Sequence, residues 1–468
     1  MRSLFLLFVI TQLTVAAQNR ILLLVDNSNI EKTHSLFLKS LRDRNYQLTV
    51  KSADDSTLTL SKFGEFLYDH VIIFAPKVEE FGGSISPEEL GRFVDEGGNV
   101  LVAADSSIGE AIRDFATEVG FEFGSDGTAV IDHHNFDSRL DDGKHTTIVV
   151  PSSQLTSAEL IVGKKSTIGP ILYQGVALSF NDENPLRLTI VNAGTTAYAF
   201  KPTSPIDEYP QAIGKSTTLI GALQARNNAR VVLCGSLKFF SDEFINHQVQ
   251  TATGTSKSGN GELATAISKW VLKETGVLRV SGVKHHKKGQ TVPPREYTIT
   301  DDVHYEIGIE ELKDGKWIPF NGKDVQLEFV RIDPFVRTTL KNSNGKFTAD
   351  FRIPDVYGVF KFLVDYHRIG YTHLFDVQQV SVRPFEHTQY ERFVHSAYPY
   401  YVSSFSMMIG VLLFAFVFLY HKESTSTAPA TSASTAQTKK SNKSRLEVCC
   451  RGYGRAVSIK PSAVGLIR

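Results

Sequence analysis

The sequence predicts a mixed α/β domain built on a parallel sheet, then a β-rich region and a β-sandwich, and finally one transmembrane helix. Three observations indicate this order. Apolar strand-like runs alternate with amphipathic helical segments up to Val119, short alternating runs follow from Thr146, and no charged residue occurs between Tyr401 and Tyr420. The first pattern is typical of a sheet covered by helices on both faces, and the uncharged run has the length of a bilayer span.

Residues 1–17 have the pattern of a secretory signal peptide. Arg2 precedes an apolar run from Leu4 to Ile10, and Val15-Ala16-Ala17 offers small residues for cleavage before Gln18. A run of this length is too short to anchor the chain as a span. We therefore expect residues 18–400 to lie outside the cytosol.

Residues 18–145 predict an α/β domain. Apolar strands are expected at 21–25, 48–50, 71–74 and 100–102, and helices at 29–44, from Pro87 to Gly97 and at 108–119. Strands of this kind, separated by helices, indicate a parallel sheet.

Residues 146–280 predict a β-rich and α/β region. We expect strands at TTIVV, ELIVGK, ILYQGVALSF, LRLTIVNAG and TAYAF, a helix at Thr218–Ala225, a strand at 230–233 and a helix at Glu262–Glu274. The sequence leaves open whether this second α/β block shares one domain with the first.

Residues 281–400 predict an antiparallel β-sandwich. Pro293-Pro294 marks a hinge, and about seven short β runs follow between Tyr297 and Arg383, separated by turn signals such as Asn344-Gly345. This spacing favours an immunoglobulin-like sandwich without its cysteine pair.

Residues 401–420 predict the transmembrane helix, because twenty helical residues span about 30 Å. The tail, residues 421–468, carries five basic residues up to Arg445, which places it in the cytosol by the positive-inside tendency. Ser403, Ser406 and Gly410 recur three and four positions apart. Small residues let helix backbones approach closely in lipid, so we expect this face to pack against a partner helix. The alternative is that the serines only suit the polar membrane interface near the end of the helix and contact no partner.

Composition bounds the partners and the compartment. Fifty basic and fifty acidic residues cancel, which removes an overall electrostatic case for nucleic acid. Cys234 is alone in the predicted lumenal part, and Asn442-Lys443-Ser444 in the tail is the chain's one glycosylation sequon. The absence of disulfides and of lumenal sequons favours a sheltered compartment such as the endoplasmic reticulum.

Three segments follow predicted strands and are the candidates for catalysis. Asp26-Asn27-Ser28-Asn29 lies where ligands bind in doubly wound sheets, but these residues are also common helix N-caps. Ala104 to Ile108 has the position of a nucleophile elbow but ends in a bulky residue. We expect Cys234 to be a packed thiol and not a nucleophile.

Two histidine pairs and three acidic pairs are the candidates for metal binding. Asp132-His133-His134 and His285-His286 place adjacent histidines on an extended chain, where neighbouring side chains point to opposite faces. Such pairs rarely bind one ion together. The acidic pairs are Asp54-Asp55, Asp141-Asp142 and Asp301-Asp302, which are more often solvated turns. From the residues alone we expect no catalytic, cofactor or metal site, so the chain is more consistent with a scaffold than with an enzyme.

Several segments carry a resemblance to a known family. These are HTQYERFVHSAYPYYVSSFSMMIG, GKWIPF, VQLEFVRIDPFVRT, PDVYGVFKFLVDY, DNSNIEKTHSLFLKSLRDR, FGEFLYDHVIIFAP, AVIDHHN and ALQARNNAR. In order and spacing they resemble the forty-eight-kilodalton subunits of eukaryotic oligosaccharyltransferase, from Gln18 to Lys422.

The resemblance implies an accessory subunit without a cofactor. Its complex transfers a preassembled glycan from dolichyl diphosphate to asparagine in Asn-x-Ser/Thr. In that family a separate multi-span subunit is catalytic, so the implied partners are that subunit, ribophorins and the endoplasmic reticulum membrane. The resemblance also implies a flavodoxin-like fold for the first domain. A lumenal enzyme or glycan-lipid-binding protein, and a trafficking receptor, are the alternatives.

The tail departs from the family pattern. Family tails often end in a lysine pair that serves retrieval to the endoplasmic reticulum, a signal read at the chain end. This chain ends Gly465-Leu466-Ile467-Arg468, although Lys439-Lys440 would form such a signal if the chain stopped at Asn442. Residues 443–468 are therefore expected to come from an alternative isoform or a misjoined exon.

Overall fold

The computed structural model describes residues 19–181, 183–251, 254–313, 315–390, 392 and 394–422. The chain divides into two compact units, Met1–Gln389 and Tyr390–Arg468. The expected signal peptide and the expected tail signal at Lys439-Lys440 lie outside the described residues.

The first part of the larger unit alternates strands and helices. Its strands are β1 Arg20–Val25, β2 Gln47–Ser52, β3 Ser61–Lys62, β4 Glu65–Phe66, β5 His70–Phe74, β6 Asn99–Ala103, β7 Glu122–Phe123, β8 Ala129–Ile131, β9 Ile148–Val150, β10 Ile171–Tyr173, β11 Leu178–Ser179, β12 Arg187–Asn192, β13 Tyr198–Phe200, β14 Thr218–Gln224, β15 Arg230–Cys234, β16 Gln248–Thr251 and β17 Gly254–Lys257. Its helices are α1 Ile30–Thr33, α2 Ser35–Asp43, α3 Pro87–Asp95, α4 Glu110–Val119, α5 Glu159–Val162, α6 Asp242–Asn246 and α7 Asn260–Val271.

The largest sheet joins both α/β blocks of the sequence. In the part of the chain that the structure describes it has nine strands, in the order β2-β1-β5-β6-β15-β14-β11-β7, with β12 also paired to β14. The five strands from β2 to β15 are parallel, and the remaining four pair antiparallel. Because β15 lies beside β6, the two blocks are parts of one sheet.

Helices cover both faces of this sheet, as the continuous apolar strands predict. On β1, Ile21 and Leu23 join a core with α2 and α7, whereas Leu22 and Leu24 join the opposite core with α3 and α4. Successive side chains of a strand point to opposite faces, so every residue from Ile21 to Leu24 is buried.

Two element predictions are wrong. ELIVGK was expected to be a strand, but Glu159–Val162 is a single helical turn. A strand would place the adjacent Ile161 and Val162 on opposite faces, whereas the turn buries both in one core. Thr218–Ala225 was expected to be a helix, but it is mostly β14, a strand hydrogen-bonded on both sides. Its side chains are buried on both faces, which hides the period of two.

The second part of the larger unit is β-rich and forms two packed sheets. Its strands are β18 Val277–Lys287, β19 Tyr297–Thr298, β20 Asp302–Lys313, β21 Lys316–Pro319, β22 Gln326–Val330, β23 Pro334–Thr339, β24 Lys341–Ser343, β25 Lys346–Arg352, β26 Gly358–Tyr366 and β27 Leu374–Arg383. Among the described residues, one sheet has the order β18-β20-β25-β24 with β21 beside β20, and the other β19-β27-β26-β22-β23. The side chains between them, such as Tyr305, Phe329 and Phe362, form one core.

A buried arginine joins the α/β part to the sandwich. Arg230 is 0% exposed, and its Nη1 donates to the carbonyls of Trp270 (2.6 Å) and Thr275 (2.8 Å). Its Nη2 donates to the carbonyls of Gly276 (3.0 Å) and Gly370 (3.2 Å). Trp270 Nε1 donates to the Gly370 carbonyl as well, at 2.9 Å. One side chain therefore fixes the end of α7 to the turns that precede β18 and β27.

The smaller unit contains one long helix, α8, from Tyr398 to Tyr420. Its side chains are exposed along the whole length, and the segment His395–Tyr420 contains an 18-residue window with a mean hydropathy of 2.4. By length and composition this segment suits a membrane span.

Candidate functional site

The tip of β1 holds a loop rather than a reacting group. Asp26 Oδ2 accepts a hydrogen bond from the backbone N–H of Lys77, which follows the neighbouring strand β5 (3.1 Å). Burial raises the pKa of Asp26, and this hydrogen bond opposes the rise. Asn29 occupies the N-cap position before α1, but its side chain makes no capping hydrogen bond. Instead, Asn27 Oδ1 accepts from the N–H of Asn29 (3.2 Å).

The segment after β6 forms a local turn. The N–H of Ser106 donates to the carboxylate of its neighbour Asp105 (2.8 Å), and its carbonyl accepts from the N–H of Gly127 (3.1 Å). These bonds hold the turn, and they supply no base for a serine nucleophile.

Cys234 is a packed thiol, as predicted. It ends β15 at 0% exposure, and its Sγ donates to the carbonyl of Ser236 (3.3 Å). Burial raises the pKa of the thiol to about 12, so the thiol stays protonated at neutral pH. Nucleophilic attack requires the thiolate.

His133 pairs with a distant histidine and not with its neighbour His134. Its Nδ1 lies 2.7 Å from Nδ1 of His145, and its Nε2 lies 2.8 Å from the hydroxyl of Tyr198. The ring of His145 stacks on Phe136, with centroids 4.0 Å apart. Sequence reasoning missed this cluster, because nothing in the pattern links residues 12 and 65 positions apart.

Asp132 anchors the loop that carries His133. Its carboxylate accepts from the backbone N–H of His134 (2.9 Å) and of Asn135 (3.2 Å), and from the hydroxyl of Thr196 (2.8 Å). Burial would raise the pKa of Asp132, but these hydrogen bonds outweigh it and hold the pKa below its usual value. The carboxylate is therefore committed to local structure.

The second histidine pair points to two sides of β18, as predicted. His285 contacts the hydroxyl of Tyr297 (2.8 Å) and stacks on Phe362, whereas the ring of His286 lies 5.0 Å from that of His304. Burial lowers the pKa of His285, and the nearby His286 lowers it further. Within the described ranges, no group of three or more His, Cys, Asp or Glu side chains is placed to hold a metal ion.

The acidic pairs stabilise turns. Asp141 accepts from four backbone N–H groups, those of Gly143, His145, Thr146 and Thr147, at 2.8–3.1 Å. Asp55 accepts from the N–H and the hydroxyl of Thr57. Asp301 accepts from the N–H of Thr298 and from Lys287 Nζ. One member of each pair, Asp141, Asp55 or Asp301, therefore holds a turn.

An open groove of about 1000 Å³ lies beside α5 and α7. Apolar side chains such as Leu160, Ala266 and Ile369 contribute to its lining, together with ionisable ones, Lys164, Lys257, Lys269, Lys313, Glu159 and Glu262. None of the candidate residues from the sequence lies in it. The groove therefore does not bring those candidates together into an active site.

The helix α8 presents the small residues Ser403, Ser406 and Gly410. Both serine hydroxyls donate within the helix at 2.8 Å, Ser403 to the carbonyl of Tyr400 and Ser406 to that of Ser403. No atom lies within 4 Å of the space that a Cβ on Gly410 would occupy, among the residues described. The serines need no further partner in lipid, and the backbone at Gly410 is open to close approach.

Two family models match most of the chain. The OST48 N-terminal domain matches residues 12–274, and the OST48 middle domain matches residues 285–422. The chain belongs to the OST48 family. The first OST48 match covers the α/β part, and the second covers most of the sandwich and all of α8.

OST48 relatives are similar over nearly their whole length. Three proteins share the name dolichyl-diphosphooligosaccharide–protein glycosyltransferase 48 kDa subunit. The one from Caenorhabditis elegans is 58% identical over 409 residues, 86% of this chain and 92% of its own. Those from Danio rerio (55% identical, 87% and 93%) and Drosophila melanogaster (57%, 86% and 91%) are similar to the same extent.

Solved structures show a much weaker likeness to this OST48 chain. A ThuA-like protein from Parabacteroides merdae covers 54% of this chain and 89% of its own, with 11% identity and a TM-score of 0.30. The carbohydrate deacetylase Agd3 has 10% identity over 60% of this chain and 34% of its own, with a TM-score of 0.29. These values carry no argument about fold or chemistry.

Proposed function

We propose that this protein is a non-catalytic structural subunit of the oligosaccharyltransferase complex. That complex transfers a preassembled glycan from dolichyl diphosphate to asparagine in Asn-x-Ser/Thr of nascent proteins. The observation that carries the proposal is 55–58% identity over most of the chain to 48 kDa subunits of this glycosyltransferase. The local hydrogen bonds of Asp26, Asp132 and Asp141 support the non-catalytic part of it.

We further propose a single-pass protein of the endoplasmic reticulum membrane with its N-terminal part in the lumen. The apolar helix α8 near the C-terminal end of the described residues supports one span. In this proposal the first domain is flavodoxin-like. Its five parallel strands have the order β2-β1-β5-β6-β15, so β2 lies on one side of β1 and the later strands follow on the other side. The sandwich is of immunoglobulin-like type.

The partners in this proposal are other subunits, including the catalytic multi-span subunit and ribophorins. In the membrane, α8 packs on a partner helix through Ser403, Ser406 and Gly410. The satisfied serine hydroxyls and the open backbone at Gly410 support this face.

Purification of the tagged full-length chain from a mild detergent extract tests the proposal. We expect the chain to co-purify with a multi-span glycosyltransferase subunit. Separated from that subunit, it should not glycosylate an Asn-x-Thr peptide in the presence of dolichyl-diphosphate-linked glycan. Transfer by the separated chain, or co-purification with no glycosyltransferase subunit, would refute it.

A further inference from the structure

The hairpin β3–β4 carries a phenylalanine in a backbone conformation that side chains of this kind avoid. Lys62 pairs with Glu65 across the hairpin, so its loop is the two residues Phe63 and Gly64. Their φ angles are 56° and 84°, as in a type I′ turn, where Asn-Gly is the favoured pair. For a bulky residue a positive φ is an outlier, and strain of this kind clusters at functional sites.

The side chain of Phe63 gains little from the fold. It is 96% exposed, and its ring is contacted by the ammonium of its sequence neighbour Lys62, whose Nζ lies 5.5 Å from the ring centroid. Non-glycine residues have positive φ at seven described positions, and three of these are Asn, which tolerates the conformation. Neither burial nor turn preference therefore explains a phenylalanine at this position.

The base of the hairpin is fixed to the α/β part. Ser61 Oγ donates to Glu89 Oε1 on α3 (2.8 Å), and the ring of Phe66 packs edge-on against Phe93 of the same helix (5.0 Å). Leu60, just before the hairpin, is 0% exposed. The exposed ring is therefore held at the end of a rigid support, an arrangement that lowers the entropy lost on binding.

The charges around the hairpin narrow the kind of partner. Lys62 faces Glu65 across the two strands, and on α3 beneath them Arg92 pairs with Glu89 at 3.0 Å. An anionic membrane surface attracts clusters of basic residues. The basic and acidic residues at this hairpin are equal in number, so these charges do not favour a membrane surface as the partner. A single aromatic ring with a neutral surround suits an apolar pocket of another protein, as anchor residues do.

We propose that Phe63 is an anchor that inserts into an apolar pocket of another subunit of the complex. This inference rests on the proposed function, because the pocket belongs to a protein with which the chain assembles. The anchor would act in the lumen, independently of the helix α8.

Competition within one cell line tests the anchor. Full-length wild-type chain and Phe63→Asn carry different tags, and the ratio of the two in the purified native complex is compared with their ratio in the total extract. We expect about tenfold depletion of Phe63→Asn from the complex, as for loss of an anchor residue. Phe63→Trp, which keeps a large ring, should assemble like the wild type.

The folding readout separates an anchor from a structural residue. Asn accepts a positive φ, so the Tm of purified Phe63→Asn should equal or exceed that of the wild type. A photoreactive benzoylphenylalanine at position 63 of the full-length chain should cross-link to a protein subunit of the complex.

Three results would overturn the inference. They are equal incorporation of Phe63→Asn and wild type, no cross-link to any protein subunit, or an adduct with lipid. If the wild-type chain itself failed to co-purify with other subunits, the proposed function would fail first.

Discussion

Several carboxylates in this protein accept hydrogen bonds from backbone N–H groups. Asp141 binds four such groups in its own loop, and Asp132 binds two together with the hydroxyl of Thr196. Burial would raise the pKa of Asp141, but the four bonds outweigh it and lower the pKa. A pair of acidic residues in a sequence can therefore mark a loop anchor as well as a metal site.

The substitution Asp141→Asn tests this role through pH. Because the folded-state pKa lies below the ordinary value of about 3.9, the ionised carboxylate stabilises the fold above that pH, and the stabilisation is lost as pH falls through the folded-state pKa. At pH 7 the variant should lose about 1–2 kcal/mol of the free energy of unfolding.

The difference between Asp141→Asn and wild type should shrink as the pH falls below about 4. Denaturant unfolding of both proteins at a series of pH values measures it. The exposed neighbour provides the control, since Asp142→Asn should change little at any pH. A difference that stays constant down to pH 2 would show that the charge of Asp141 plays no part.

Sequence patterns located single residues better than they located clusters. The burial of Cys234 and the opposite directions of His285 and His286 follow from strand periodicity, which is a local property. The contact of His133 with His145 and Tyr198 depends on how three loops fold together. No spacing rule in one sequence carries that information.

At the scale of elements, the helix predictions succeeded where one face of the helix is buried. The helices α3 and α4 each have a polar face. The predictions of helices at Pro87–Gly97 and 108–119 are confirmed, with ends that differ by a few residues. β14 is buried on both faces, and α5 is a single turn. Neither segment shows a hydrophobic period that distinguishes a helix from a strand, because its secondary structure depends on tertiary packing.

The transmembrane helix offers a direct test of helix packing in lipid. Gly410→Ile places a branched side chain where the backbone is now open, and should lower co-purification with partner subunits several-fold. Membrane insertion should be unchanged, because isoleucine is apolar.

The matched control is Leu412→Ile, which lies about 200° around the helix from Gly410. It should leave co-purification unchanged. Co-purification of Gly410→Ile at the wild-type level would exclude this face as a contact.

At the scale of the whole molecule, Arg230 connects the α/β part with the sandwich. Its guanidinium donates to four carbonyls, and burial lowers its pKa. An arginine fits this site because its planar fork presents several donors in fixed directions. The sequence showed an arginine at the start of a strand but not the turns that surround it.

Arg230→Lys keeps the charge and removes part of the fork. It should lower the free energy of unfolding by about 3 kcal/mol, since buried carbonyls lose their donors. Denaturant unfolding followed by tryptophan fluorescence measures this, because Trp270 lies against the arginine. Arg226→Lys, on the exposed turn before β15, should have no effect. A stability of Arg230→Lys equal to the wild type would contradict the role assigned to these bonds.

The central claim is that the chain supports glycan transfer through assembly and not through its own chemistry. Cells depleted of the chain would express full-length Asp26→Ala, Asp132→Ala, His133→Ala or His134→Ala. Occupancy of an Asn-x-Thr reporter would then be divided by the amount of intact complex on a native gel. We predict the wild-type ratio for all four variants, even where Asp132→Ala lowers the amount of complex. A variant that abolished transfer while the complex stayed intact would contradict the claim.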